Sequence, residues 1–192
     1  MTPKLLLVLA LLALGACRED GTASLPAPVT MTAEAVGHFC QMEMIEHPGP
    51  KAQVFLDGLP DPLFFSQVRD AVAYDRMPEQ SHMIAAIYVS DMGAANATWD
   101  SPGADNWILA SAAQYVTGSD RMGGMDMPEL VPFATLAAAQ AFIARHGGEV
   151  LRLDAITDDM VLAPVEFEHD IGTDDEGDFA DRLRTLSHGH GG

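Results

Sequence analysis

The stretch TLAAAQAFIARHGGEVLRL, residues 135–153, decides how the chain folds. Its apolar residues recur at helical spacing over Leu136–His146, and Thr135 stands where a helix N-cap is expected. The pair Gly147-Gly148 ends this helix, because glycine readily adopts the backbone conformation that follows a helix C-terminus. The next residues, Glu149–Leu153, predict a strand. A helix followed at once by a strand indicates a domain that combines helix and sheet.

The rest of the chain repeats this alternation of elements. Apolar patterning predicts further strands at Lys51–Leu56, Met83–Val89 and Gln114–Thr117, a helix over Leu63–Arg76 with Ser66 as a possible N-cap, and one helical turn at Thr157–Leu162. The grouping of strand, helix and strand therefore occurs twice. Two such groups predict an α+β domain in which helices pack on a mixed or antiparallel sheet.

The N-terminal residues 1–16 have the character of an export signal. One basic residue, Lys4, precedes an unbroken apolar run from Leu5 to Ala16. That run is shorter than the roughly 20 residues that span a bilayer. It closes with Leu14-Gly15-Ala16-Cys17, which resembles the lipobox of bacterial lipoproteins. We therefore expect a periplasmic protein with a lipidated Cys17, held on a bacterial membrane, for which the outer membrane is our first choice.

The remaining boundaries follow from composition. Residues 17–30 are small, polar and proline-containing, which predicts a flexible spacer. Residues 31–165 carry the patterned elements and form the predicted compact domain, and residues 166–192 form an acidic tail that ends in glycine and histidine. The sequence thus predicts one domain between flexible N-terminal and C-terminal tails.

Charge excludes one large class of functions. The chain of 192 residues has 28 acidic residues against 10 basic ones, and its formal charge is −18. An acidic surface repels phosphate backbones, so we expect no nucleic-acid partner. No phosphate-binding glycine motif or paired-cysteine motif is present either, and the combination of Ser66, His82 and Asp91 lacks the sequence context of a hydrolase triad. Nothing in these residues supports a redox dithiol or a zinc hydrolase, and we expect no small-molecule substrate.

Cysteine usage leaves one thiol without an internal partner. The chain has two cysteines, and lipidation would consume Cys17. Cys40 would then be a single thiol in a compartment where thiols normally form disulfides. Such a cysteine is buried and inert, paired with another chain, or engaged in chemistry.

The neighbours of Cys40 are donors for a soft metal ion. If the segment is extended, Met42 and Met44 share a face with Cys40, and His38 lies on the same face. Thiolate and thioether sulfurs select Cu(I) over zinc, calcium or magnesium. The alternative for Met44 is simple core packing, since methionine commonly fills gaps. The segment therefore predicts a Cu(I) site centred on Cys40.

A second methionine cluster lies far along the chain, within the glycine- and proline-containing stretch 121–128. Those residues predict a loop, where methionines have little role in core packing. We interpret the loop as a lid whose thioethers approach and leave a metal; the alternative is a surface loop with chance methionines. Five of the eleven methionines lie in the two clusters: Met42, Met44, Met122, Met125 and Met127.

These stretches resemble the NosL family of copper-binding lipoproteins, which are associated with assembly of nitrous oxide reductase. The resemblance rests on Leu14–Cys17, Phe39–Met42, Glu46–Gln53, Leu63–Asp70, Met77–His82, Asp91–Gly93, Gly103–Trp107, Gly123–Met125, Pro128–Phe133 and Arg145–Gly148. It covers nearly the whole chain. It implies two similar ββαβ halves packed into one compact domain, a fold that resembles part of the organomercurial lyases.

The resemblance also implies a function and a set of ligands. A member of this family is a Cu(I) metallochaperone that supports the copper–sulfide centre of nitrous oxide reductase, together with a membrane-bound assembly machinery. The family's Cys-x-Met motif falls on Cys40 and Met42, and its loop methionine falls on Met125. Relatives commonly have Met-Gly at this last position, whereas this chain has Met125-Asp126-Met127. His38, His47, Met44, Met122 and Met127 remain further or replacement ligands.

Two other functions use the same residues. A general copper scavenger or resistance lipoprotein would need the same sulfur donors. An enzyme of the organomercurial-lyase kind would need more than one active thiol, and only Cys40 remains after lipidation. We therefore expect a metallochaperone and no catalytic activity.

Overall fold

The computed structural model describes residues 24–78, 80 and 82–162. Its first sheet has four antiparallel strands in the order β2-β1-β3-β4. Helix α1 (Val68–Arg76) lies in the chain between β2 and β3. The strands of this sheet are β1 (Ala52–Leu56), β2 (Leu63–Phe65), β3 (Ile84–Ser90) and β4 (Trp107–Leu109).

The second sheet has three antiparallel strands in the order β6-β5-β7. Helix α2 (Leu136–His146) connects β6 to β7, and a short helix α3 (Asp158–Leu162) ends the described part of the chain. The strands are β5 (Gln114–Thr117), β6 (Val131–Phe133) and β7 (Glu149–Leu151). The molecule therefore combines helix and sheet, as the sequence predicts.

The two sheets share a strand order. Residues 52–90 run strand, strand, helix, strand, and residues 114–151 do the same. In each group the first strand lies between the other two. The first sheet carries one additional edge strand, β4.

Strand β5 lies between two hydrophobic cores. Tyr115 is fully buried in the core that α1 and β1 form, with Val54 and Val72. Its neighbour Val116 is fully buried in the second core, with Phe133 and Phe142. Successive strand residues point to opposite faces, so one short strand joins both cores into one folded unit.

The second helix follows its sequence signals closely. It spans Leu136–His146 as predicted, and the Thr135 side chain accepts a hydrogen bond from the Ala138 amide at 3.2 Å. Gly147 has φ +70°, and its N–H donates to the Ile143 carbonyl oxygen at 2.8 Å. These contacts satisfy backbone groups that the helix ends leave unpaired.

The first helix is shorter than predicted. We expected a helix over Leu63–Arg76 with Ser66 as its N-cap, but the helix begins at Val68. Leu63–Phe65 instead forms a strand that pairs with β1, and the Ser66 hydroxyl faces Cys40. A strand of three apolar residues cannot be told from a helical turn by periodicity alone. The pairing with β1 is what makes Leu63–Phe65 a strand.

Two short strands were not predicted at all. These are β4 and β6, of three residues each. Pro132 lies within β6, and proline usually argues against a strand. The residue is tolerated because β6 is an edge strand of the second sheet.

The N-terminal end of the described chain packs on the first sheet. The Val29 amide donates to the Gln53 side chain at 3.0 Å, and the Tyr88 hydroxyl donates to the Pro26 carbonyl oxygen at 2.8 Å. Part of the predicted spacer 17–30 is therefore bound to the domain. The predicted signal peptide, Cys17 and the tail 166–192 lie outside the described residues. None of the described helices has the length and apolar character needed to cross a membrane.

Candidate metal centre

Cys40 lies in a compact turn, which we call the thiol turn (residues 37–42). The Gln41 amide donates to the Gly37 carbonyl oxygen, and the Gly37 amide donates to the Met42 carbonyl oxygen, each at 2.9 Å. Gln41 has φ +56°, a left-handed conformation that few side chains adopt. A Cβ atom at Gly37 would lie 2.5 Å from the Cys40 sulfur, so glycine at this position leaves room for the sulfur where it lies.

The extended segment that we expected around Cys40 is therefore wrong. The turn at Gln41 removes the alternation that would place Cys40, Met42 and Met44 on one face. Met44 is fully buried in a small core with Met31 and Ala35, at the start of a 3-10 helix. This burial agrees with the packing role that the sequence leaves open as the alternative for Met44. Met42 remains 38% exposed, two residues from the thiol.

His38 fastens the thiol turn to the first sheet. Its amide donates to the Phe64 carbonyl oxygen at 2.7 Å. Its ring packs edge-on against Phe65 and Tyr74, with centroids 5.6 and 5.5 Å apart. The His38 side chain therefore packs among aromatic rings. We expected it to share a face with Cys40, and that face is not its main environment.

Two polar side chains approach the thiol. The His47 Nε2 atom lies 3.9 Å from the Cys40 sulfur, and the Ser66 hydroxyl donates to that sulfur at 3.7 Å. Both residues are nearly inaccessible to solvent, whereas Cys40 is partly exposed. The thiol therefore has a buried polar side and an open side.

His47 also contacts the distant methionine loop. Its Nδ1 atom lies 3.0 Å from the Gly124 carbonyl oxygen, which can only accept a hydrogen bond. In the neutral ring Nδ1 therefore carries the proton, and the lone pair of Nε2 faces the Cys40 sulfur. A Cβ atom at Gly124 would lie 2.7 Å from the His47 Cβ, so glycine permits this close approach. His47 thus joins the two predicted clusters.

The methionine loop (residues 121–128) is a tight reversal of the chain. Its ends pair at Met122 and Pro128, and the Gly123 amide donates to the Met127 carbonyl oxygen at 2.8 Å. The Met125 amide donates to the Gln67 side chain at 3.2 Å, next to helix α1. The side chains of Met122 and Met125 are 48% and 43% exposed. The loop backbone is held while its thioethers remain accessible.

A buried lysine supports the segment that carries His47. The Lys51 ammonium donates to the carbonyl oxygens of His47 at 2.7 Å, Pro48 at 3.0 Å and Gly49 at 2.8 Å, with Ser66 at 3.4 Å. Burial lowers the pKa of Lys51 to about 8, against the opposing negative charges of Glu129 and Cys40. These bonds fix the backbone on which the imidazole stands.

A buried glutamate connects the methionine loop to helix α1. Glu129 accepts amide hydrogen bonds from Val68 at 3.3 Å, Arg69 at 3.0 Å and Leu130 at 2.8 Å. Burial raises the pKa of Glu129 to about 8, although the amide bonds favour the charged form. Glu129 thereby joins the end of the loop to the beginning of α1.

The side chains near Cys40 that could bind a metal include sulfur donors. The described ranges contain no group of three or more His, Cys, Asp and Glu side chains that could hold a metal. Methionine thioethers are further candidate donors beside Cys40 and His47, and the His47 contact with Gly124 brings the backbone of the methionine loop to this side of the thiol. Thiolate and thioether sulfurs favour a soft cation such as Cu(I) over calcium.

Comparison with known proteins decides the family. The NosL family model matches residues 28–161. The chain belongs to the NosL family. A copper-binding lipoprotein NosL from Achromobacter cycloclastes is 57% identical over 187 residues, which covers 97% of this chain and 96% of the relative. The resemblance that the sequence suggested is confirmed.

Two further NosL proteins match this chain at lower identity. A copper-binding lipoprotein NosL from Stutzerimonas stutzeri is 32% identical over 133 residues, covering 69% of this chain and 67% of the relative. The crystal structure of a copper chaperone NosL from Shewanella denitrificans matches with a TM-score of 0.62 at 30% identity. It covers 69% of this chain and 96% of that chain.

Sequence reasoning missed the residues that hold this NosL site together. Lys51 was read as the first residue of a strand, and Glu129 was not considered. Both carried a signal, because each is a charged residue at the edge of an apolar stretch. Charged residues are almost never fully buried without partners, and these are buried with them. His47 is one of several further ligands that the sequence leaves open, and the structure places its Nε2 atom 3.9 Å from the Cys40 sulfur.

Proposed function

We propose that this NosL-family protein binds one Cu(I) through the Cys40 thiolate and the thioethers of Met42 and Met125. The observation that carries the proposal is the His47 contact, which links the turn holding the lone thiol to the loop holding Met125. The relatives named as copper-binding lipoproteins and as a copper chaperone support copper as the cargo.

The proposed ligands contribute to copper binding in different ways. The thiolate supplies negative charge and most of the affinity, and the thioethers favour Cu(I) over harder cations. Met42 lies on the thiol turn, whereas Met125 comes from the second cluster. Loss of Met125 from the metal would open a coordination position without disturbing the thiolate.

His47 is the proposed additional donor during loading or release. Its Nε2 lone pair faces Cys40, so the imidazole can occupy a position that a methionine vacates. The bond from Nδ1 to Gly124 fixes the ring orientation, as carbonyl partners commonly do for metal-binding histidines. We propose that the ring is exchanged for a ligand of the recipient protein.

We propose that the recipient is nitrous oxide reductase, reached with its membrane-bound assembly machinery. Exposed thioethers suit transfer by ligand exchange, because an incoming thiol or imidazole can reach the metal before it leaves. The copper then never becomes a free ion. Binding and transfer, with no catalytic step, are the proposed activity.

We further propose the location and the boundaries of the protein. Residues 1–16 direct export, and the lipid on Cys17 holds the chain on a periplasmic membrane surface, with the outer membrane as the expected one. Residues 17–30 connect the lipid to the domain 31–165, and the tail 166–192 follows. The relatives named as lipoproteins support this assignment.

We also propose that residues 52–90 and 114–151 are two copies of one ββαβ unit. Their common order of elements and the central position of the first strand support this. The thiol turn precedes the first copy, and the methionine loop joins the first two strands of the second copy. The proposed site therefore draws its ligands from the segment before the first copy and from a loop of the second copy.

The function is tested by a transfer assay. Copper-loaded protein is mixed anaerobically with nitrous oxide reductase that lacks copper in its catalytic centre, together with the assembly machinery. We expect copper to enter the reductase and activity to rise, and the Cys40→Ser protein to be inactive in the assay. If the wild type loads no reductase but its deletion makes cells sensitive to copper, the protein is a general scavenger.

A further inference from the structure

A cleft outside the candidate metal centre lies beside the methionine loop, whose first residue, Arg121, is part of its lining. Its volume is about 260 Å³, and its lining includes Trp99, Arg121, Phe142, Arg145 and His146. Two aromatic rings and two guanidinium groups thus meet in one depression. Nothing in the proposed copper chemistry uses these side chains.

The cleft is unusual because the chain is strongly acidic. Only ten of the 192 residues are lysine or arginine, and the formal charge is −18. In the part of the chain that the structure describes, Lys51 and Arg69 are buried and Arg76 pairs with Asp158 at 2.7 Å. Arg121 and Arg145 lie together in the cleft, and no described carboxylate lies within ion-pairing distance of either group.

The aromatic residues hold the cleft in shape. The Arg121 guanidinium lies 5.4 Å from the centre of the Trp99 ring, a cation–π contact. Trp99 stacks on Phe142, and the Phe142 ring packs on His146 with centroids 4.5 Å apart. The His146 Nδ1 atom lies 2.9 Å from an Asp120 carboxylate oxygen, so this acid at the rim has a partner.

Trp99 connects the cleft to the candidate metal centre. Its indole N–H donates to the Met122 carbonyl oxygen at 3.2 Å, at the start of the methionine loop. Its own carbonyl oxygen accepts from the Gly49 amide at 2.6 Å, next to the segment that Lys51 supports. A molecule seated on Trp99 would therefore lie close to both sides of the proposed copper site.

We propose that this cleft binds an acidic segment of a protein partner through a carboxylate group. Guanidinium groups pair with carboxylates by parallel hydrogen bonds, and the aromatic wall accepts the apolar stem of a glutamate. The open cleft has room for one or two side chains of a segment that continues across the surface. The site concerns docking, and it does not depend on copper binding.

The direct test is a titration of the copper-free, ¹⁵N-labelled protein with a blocked oligoglutamate peptide at low ionic strength. We expect saturable shifts of the Trp99 indole N–H resonance and of the Arg145 side chain, and their loss at high salt. The Trp107 indole N–H, which donates to the Ala104 carbonyl oxygen, is the internal reference and should not shift.

Matched variants separate the cleft from general charge effects. Arg145→Gln should weaken peptide binding about fivefold or more, because it removes a direct carboxylate partner. Arg152→Gln removes the same charge from an arginine that binds the Ser111 and Ala112 carbonyl oxygens, and should change binding less than about twofold. Equal effects of the two variants would overturn the proposal.

A final arm distinguishes a protein segment from a small anion. Inorganic phosphate and acetate are titrated separately under the same conditions. We expect only weak, non-saturating shifts from both, because neither ion can use the aromatic wall. Saturable phosphate binding tighter than that of the peptide would make the cleft a small-anion site and would contradict the docking role.

Discussion

The thiol turn and the methionine loop are held to the domain in different ways. The thiol turn closes on itself through two backbone hydrogen bonds, and the Ser66 hydroxyl binds its sulfur. The methionine loop has its backbone bound by His47 and Gln67, but the side chains of Met122 and Met125 point into solvent-accessible space. The thiol turn holds the Cys40 sulfur in place. The methionine loop holds only its backbone in place and leaves its thioether side chains exposed.

This difference suggests how a copper carrier can bind firmly and still release. The charged ligand, Cys40, lies in a turn that two backbone hydrogen bonds and the Ser66 hydroxyl hold in place. The neutral ligands sit where a side chain can move by rotating about single bonds, without unfolding the backbone. Affinity would then depend mainly on the thiol turn, which carries Cys40 and Met42, and exchange mainly on the methionine loop, which carries Met125.

The largest expected effect comes from removing the fixed donor. Cys40→Ser should lower Cu(I) affinity by roughly a thousandfold or more, because a neutral hydroxyl replaces a soft thiolate. Competition with a Cu(I) chelator under anaerobic conditions measures the change, and far-UV circular dichroism confirms that the variant folds. Wild-type affinity in a folded Cys40→Ser protein would remove the central ligand from the proposal.

Replacing Lys51, which supports the segment that carries His47, should make the protein less stable. Lys51→Met leaves the carbonyl oxygens of His47, Pro48 and Gly49 without their buried donor. We expect the free energy of unfolding to fall by roughly 3–5 kcal/mol, measured by urea denaturation of the copper-free protein. The control Arg145→Met changes an exposed cation and should cost less than about 1 kcal/mol. Similar losses in both variants would contradict a supporting role for Lys51.

Glu129 should give the copper-free protein a distinctive pH dependence. Because burial raises the pKa of Glu129 to about 8, above the ordinary value of 4.5, the protonated form favours the folded state. Stability should therefore decrease as pH rises from about 4.5 to about 8, by roughly 2–4 kcal/mol.

Urea denaturation across this pH range measures the dependence. Glu129→Gln should flatten it, since glutamine does not ionise, although the variant is less stable at low pH. The matched control Glu149→Gln replaces an exposed carboxylate and should leave the slope unchanged. A slope that survives in Glu129→Gln would mean that another group is responsible.

The smallest effect is expected in the methionine loop. Met125→Leu keeps the size of the side chain and removes the thioether, so Cu(I) affinity should fall only about tenfold. Met122→Leu, equally exposed on the same loop, should bind as the wild type does. If Met122→Leu has the larger effect, the loop ligand has been assigned to the wrong methionine.

Local signals made much of the fold predictable from the sequence. Helix α2 has a threonine cap, regular apolar spacing and a glycine stop, all within one stretch, and its bounds were predicted without error. Strand β5 was also predicted at its observed residues. The short strands β2, β4 and β6 were missed, because pairing with distant strands defines them and periodicity does not.

For the candidate site, the sequence indicates which donor residues are present but not how they are arranged. Composition singled out Cys40 and the two methionine clusters, because a lone thiol and clustered thioethers are rare. The shape of the thiol turn was not predictable, since it depends on a left-handed Gln41 that no local signal marks. The contacts of Lys51 and Glu129 join residues far apart in the chain, and a single sequence gives no measure of such proximity.

The most direct test is a methyl NMR experiment on protein labelled with ¹³C at the methionine methyl groups. An equimolar amount of Cu(I) is added anaerobically, and the resonances are assigned by single Met→Leu variants. The account predicts that the Met42 and Met125 methyl signals shift together. A shift confined to Met42, with Met125 unchanged at full loading, would show that the two regions do not bind the same ion.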